Sequence, residues 1–158
     1  MLEHTFPTTV TWSGSTAEGL RHYTRNHTGT AGPGLELELT ADPHFRGVAD
    51  RLNPEQLVVL AASSCQMLSF LAVAARERLD VVAYTDDALG RMPMARTGMR
   101  ISTITLRPRI VLAAGSDTSR IAELTQRAHE ECFIANSLNS AITVEPVVEI
   151  ADPEPSTE

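Results

Sequence analysis

Leu35-Glu36-Leu37-Glu38-Leu39 alternates apolar and acidic side chains residue by residue. That period of two predicts a half-buried strand. Weaker strand signals precede it at residues 6–12 and 20–26. The glycine-rich run 28–34 between the second and third reads as a turn. The N-terminal part is therefore expected to be an antiparallel meander of about three strands. A polar loop over 41–52 follows, carrying His44, Arg46 and Arg51. Asn53 then supplies an N-cap, Pro54 suits the first helical position, and Glu55 falls in the first turn, where the helix dipole favours an anion. The predicted helix runs to about residue 79.

Residues 57–75 of that helix are almost free of charge and about long enough to span a bilayer. The segment contains Ser63, Ser64, Cys65, Gln66 and Ser69, however, and no second segment like it exists. An apolar helix with such residues reads as the centre of a soluble fold. Strand patterns return at 81–89 and 99–113, joined by a connector at 90–98. Asp117 is expected to cap a second helix reaching about Cys132, and 141–150 closes with a strand. Strands grouped before helices, with few βαβ units, predict an α+β fold. Residues 1–150 are expected to form one domain, and the Pro-rich acidic tail 151–158 to be disordered.

The 158 residues carry 13 Arg and Lys against 20 Asp and Glu, a net charge of −7. Without a basic cluster, binding to nucleic acid or to an anionic membrane is disfavoured. Aromatic residues at 4% leave few platforms for stacking bases. Two cysteines, Cys65 and Cys132, are too few for a disulfide scaffold. The chain opens without a charged, apolar leader, which predicts a cytoplasmic location.

Cys65 sits mid-helix among apolar neighbours, where a cysteine is commonly a buried structural thiol. His129 and Cys132 share one helical face and could ligate zinc together with Cys65. A serine-hydrolase elbow of the form G-x-S-x-G is absent. Two longer patterns are more specific. Asn53-Pro54-Glu55-Gln56-Leu57 precedes Ala61-Ala62-Ser63-Ser64-Cys65, with Glu55 ten positions before the cysteine. Ala128-His129-Glu130-Glu131-Cys132 is followed by Asn136-Ser137-Leu138. Joined at this spacing, the two motifs resemble those of the OsmC/Ohr family, the osmotically inducible and organic hydroperoxide resistance proteins. The resemblance extends over about residues 5–150. Where the family often has proline after its second cysteine, this chain has Phe133.

The resemblance implies an OsmC-like fold, with antiparallel strands packed around a long central helix in an intertwined homodimer. It implies a thiol peroxidase for organic hydroperoxides, with Cys65 attacking and Cys132 resolving through a Cys65–Cys132 disulfide. Glu55 would hold an arginine beside the thiolate, with Arg46 the first choice and Arg25 and Arg51 the alternatives. Such an arginine offsets the cost of placing a thiolate in an apolar helix, because it keeps its charge when buried. No cofactor is expected beyond an external dithiol reductant, which the family suggests is a dihydrolipoyl group. Helix geometry adds that Glu55 and Cys65 lie about 15 Å apart along the axis and point about 80° apart. A site using both is therefore expected to be shared between two subunits. A competing expectation is a non-catalytic dimeric module of the same fold that holds a small apolar ligand.

Overall fold

A computed structural model describes residues 1–153, and residues 154–158 of the expected disordered tail lie outside it. The described chain divides into two compact units, Met1–Leu57 and Val58 onward. In the first, β1 (Thr8–Thr11), β2 (His27–Ala31) and β3 (Leu35–Leu39) form an antiparallel sheet in the order β1-β2-β3. The three-strand meander is thus present, but its middle strand is displaced. Residues 20–23 are turn and bend and 24–26 are irregular, while the stretch read as a turn is mostly strand. The reason lies in Gly29, where a Cβ would stand 2.8 Å from the Leu39 side chain. A glycine inside the strand allows that close approach, so here it marks packing and not a turn. The true turn is confined to Gly32-Pro33-Gly34, with Gly32 and Gly34 at positive φ.

In β3 only Leu39 is buried; Leu35 and Leu37 are 69% and 42% exposed. The alternation predicts a covered face, and Leu35 and Leu37 on it are left exposed among the described residues.

The long helix α1 (Pro54–Arg76) begins as expected. Asn53 Oδ1 accepts from the Gln56 amide at 2.8 Å, and the Asn53 amide donates to Gln56 Oε1 at 3.0 Å. This reciprocal pair satisfies two amides that the helix itself cannot. Arg78 at φ 57° ends the helix slightly before the expected residue. The helix is apolar and long enough to cross a membrane. Its stripe Ala62, Gln66, Phe70, Val73 and Ala74 is instead buried in protein, with the Gln66 amide donating to the Thr125 carbonyl. It is a core helix.

In the second unit, β4 (Val81–Asp86), β7 (Pro108–Leu112) and β9 (Val147–Ile150) form one sheet. A second sheet contains β5 (Leu89–Arg91), β6 (Thr103–Leu106) and β8 (Ala141–Val144). The expected single strands 99–113 and 141–150 are each split, the first just before Pro108 and the second at Glu145-Pro146. Proline cannot donate to a ladder, and each long strand changes sheet at that point. Because the two split strands run the same way, β6–β8 and β7–β9 pair in parallel, and only the other pairings are antiparallel as expected. The chain turns out of β4 at Asp86, whose carboxylate accepts from Ser63 Oγ at 2.5 Å and from the Arg107 amide at 2.6 Å.

The second helix, α2, spans Ile121–Glu130. Asp117 does not cap it; that carboxylate is taken by the amide and hydroxyl of Ser119. Nor does α2 reach Cys132. A further short helix, α3 (Phe133–Ser137), starts there with Cys132 as its N-cap. Two apolar clusters hold these helices to α1. Phe70, Val73 and Ala74 pack with Ile121, Leu124 and Ala128, while Ala62 packs with Ile104, Leu106 and Ile134.

Candidate active site

Cys65 lies on α1 between the residues that anchor the two clusters, Ala62 on one side and Phe70 on the other. Cys132 lies likewise between Ala128 of α2 and Ile134 of α3. Packing the two clusters against one helix therefore brings the cysteines together, although 67 positions separate them in the chain. Both are free thiols, Cys65 half-buried and Cys132 only 1% exposed. The Ile134 amide donates to Cys65 Sγ at 3.5 Å, and the Ala135 amide donates to Cys132 Sγ at 3.4 Å. The Arg76–Glu131 pair at 2.5 Å ties the end of α1 to the residue before Cys132.

Burial pushes the Cys132 thiol up to about 11, and the adjoining Cys65 adds to the rise, against the pull of the Ala135 and Ile134 amides. Cys132 is therefore a neutral thiol at physiological pH. The shift also makes stability pH-dependent. An unfolded Cys132 ionises near its ordinary value of 9.0, whereas the folded one holds its proton to about 11. The resulting stabilisation is complete below pH 9 and lost as pH rises through 11. Urea midpoints of the reduced protein should fall across that window by more than those of Cys132→Ser, whose side chain does not titrate. Parallel curves for the two proteins would contradict the shift.

Glu55 belongs to the first unit. There it lines a cavity of about 430 Å³ together with Trp12, Tyr23, Arg25, His27 and Phe45. The Arg25 guanidinium stacks 3.7 Å from the Tyr23 ring centre and donates to the Tyr23 carbonyl and, at 2.6 Å, to the Leu20 carbonyl. Trp12 meets Tyr23 edge-on and donates from Nε1 to the Thr24 carbonyl at 2.8 Å. The wall is thus aromatic, with the Arg25 cation and two carboxylates, Asp42 and Glu55, set into it.

Of the three candidate arginines, Arg25 is the one that lines this cavity. Arg46 is exposed, at φ 72°, where it ends the 3₁₀ turn Pro43–Phe45. Arg51 is paired with Glu38 at 3.6 Å. Gly47, next to Arg46, is forced by the chain path, since a Cβ there would collide with the Ala41 carbonyl oxygen. Among the described residues no three His, Cys, Asp or Glu side chains gather as a metal site, so the zinc set Cys65, His129 and Cys132 is not assembled.

The aromatic wall and the two sulfur-bound amides were not foreseen from sequence. Trp12 and Tyr23 lie in stretches whose strand signal is weak, and Phe45 lies in a polar loop. Cysteine is not among the usual capping residues that would have flagged α3.

Comparison with known proteins matches residues 47–147 to the OsmC-like protein family. An OsmC-like protein of unknown function from Vibrio cholerae is 31% identical, with 92% of this chain and 100% of that one covered and a TM-score of 0.84. An organic hydroperoxide resistance protein from Elizabethkingia anophelis shares the fold at 21% identity, 95% and 99% coverage and a TM-score of 0.71. The uncharacterised protein YmaD of Bacillus subtilis is 22% identical over 149 residues, 92% of this chain and 93% of that protein.

Proposed function

This chain belongs to the OsmC-like family, and on that premise we propose that it is a cysteine-based peroxidase for organic hydroperoxides. The observation that carries the reading is the pair of free thiols, one half-buried and one buried, joined by the packing of α1, α2 and α3. The Cys65 thiolate attacks the terminal peroxide oxygen, the O–O bond breaks, and the alkoxide takes a proton to leave as an alcohol. Cys65 becomes a sulfenic acid. The Cys132 sulfur then forms the S–S bond, the S–O bond breaks, and the Cys132 proton leaves with the hydroxyl as water. An external dithiol, such as a dihydrolipoyl group, returns both cysteines to thiols and itself becomes a disulfide. A reducing cytoplasm provides such dithiols.

Glu55 and Arg25 supply the polar groups of the substrate cavity in this reading. Arg25 replaces Arg46 as the favoured arginine, because it shares a cavity wall with Glu55. The site is completed by a second copy of the chain. Support comes from α1, where Leu60 and Leu68 are 58% and 60% exposed, and from the uncovered leucines of β3. Apolar faces of this kind are buried economically in an isologous dimer. Antiparallel packing of two α1 helices would carry Glu55 of one subunit toward Cys65 of the other.

The test is consumption of cumene hydroperoxide in the presence of a dithiol. Turnover is expected, and Arg25→Gln should lower it by about 10²-fold, the scale of removing one charge-stabilising donor. Arg46→Gln should cost less. A larger loss from Arg46→Gln would return the role to Arg46. No consumption by the wild-type protein would favour the binding-module alternative.

A further inference from the structure

The first amides of a helix have no partner within it. In α3, Cys132 meets this need at one point, where its sulfur accepts from the Ala135 amide at 3.4 Å; its carbonyl takes the first bond of the helix itself, from the Asn136 amide at 3.0 Å. The Ile134 amide lies near both sulfurs and also pulls on Cys132, but the sulfur it donates to is Cys65 Sγ, 3.5 Å away. Its direction is held from both sides. The Ile134 side chain is packed against the Ala62, Ile104 and Leu106 cluster, and Cys132 anchors the preceding turn. A neutral thiol is a poor acceptor, so a well-held N–H aimed at it gains little from the reduced, protonated form. The same N–H gains much more from a thiolate, because hydrogen bonds to charged groups are shorter and roughly twice as strong.

We propose that the backbone amide of Ile134 is a catalytic donor, stabilising the Cys65 thiolate and then holding the oxidised Cys65 sulfur in place for Cys132. The assignment rests on Cys65 being the attacking thiol. It needs no helix dipole, which five residues would scarcely provide, only one N–H at bonding distance from the reacting atom. It gives this chain a source of thiolate stabilisation that belongs to the same unit as both cysteines. No side-chain substitution scan would detect it, because the donor is main chain.

The test removes the N–H and keeps the side chain, by replacing Ile134 with its α-hydroxy acid so that an ester joins it to Phe133. Iodoacetamide labelling of Cys65, read by peptide mass on the reduced protein at pH 7, should slow by about tenfold. The deficit should close as pH rises, since strong base ionises the thiol without help. An ester protein with wild-type circular dichroism and wild-type labelling would overturn the proposal. A second measurement needs no variant. The Ile134 amide proton should move downfield as wild-type protein is titrated through Cys65 ionisation and stay still in Cys65→Ser; no movement in the wild type would also overturn it. Neither readout involves peroxide. Failure of hydroperoxide turnover would therefore strike the peroxidase reading, and failure here would strike the amide alone.

Discussion

Replacing Cys65 by serine is expected to abolish hydroperoxide turnover, a loss on the order of 10³-fold or more. The substitution keeps size and shape at a half-buried position on α1. It removes the one property the reaction needs, a sulfur atom that ionises readily and can accept oxygen. Cys132→Ser should behave differently. Serine is a better N-cap than cysteine, so α3 should retain its start. Without reductant this variant should consume one equivalent of peroxide, trap a sulfenic acid on Cys65 that dimedone labels, and then stall. If Cys65→Ser kept full activity, or if Cys132→Ser formed no sulfenic acid, the two roles would be misassigned.

Mixing two inactive variants should restore activity. In a homodimer, Glu55→Ala and Cys65→Ser would each damage both sites. If each site takes its glutamate from one subunit and its cysteine from the other, a mixed dimer carries one site with both defects and one intact site. Random exchange makes half the dimers mixed, so roughly a quarter of wild-type turnover should return. The argument is geometric. Glu55 and Cys65 share one continuous helix, α1, and about 15 Å of axial rise separates them. Sedimentation as a monomer, or no recovery after demonstrated subunit exchange, would remove the shared site.

Those features were readable from sequence to different degrees, for physical reasons. The start of α1 was plain because Asn53, Pro54 and Glu55 each suit a distinct helical position, and the structure adds Gln56 as the reciprocal cap. The strand at 35–39 was plain because its alternation is strict, yet its exposed leucines show that pattern alone does not say which molecule covers a face. β2 was missed because His27-Thr28-Gly29-Thr30-Ala31 lacks apolar alternation and its glycine serves a neighbour's side chain. Pro108 and Pro146 were visible, but their effect was not: each splits a long strand between two sheets and so creates parallel pairs. The cysteines were identified through motif spacing, and their meeting follows from two clusters packing on one helix. The arginine was the least legible. Arg25 sits in a stretch with a weak strand signal that instead folds irregularly, its course set by Tyr23, Trp12 and main-chain carbonyls.

The central claim is that Cys65 and Cys132 form a redox pair driven by organic hydroperoxide. The most direct measurement is non-reducing peptide mass spectrometry of the reduced protein after one equivalent of cumene hydroperoxide. The account predicts an intramolecular Cys65–Cys132 disulfide, one equivalent of alcohol, and full recovery of both thiols with a dithiol. Two intact thiols beside unconsumed peroxide, or a disulfide linking two subunits as the main product, would contradict it.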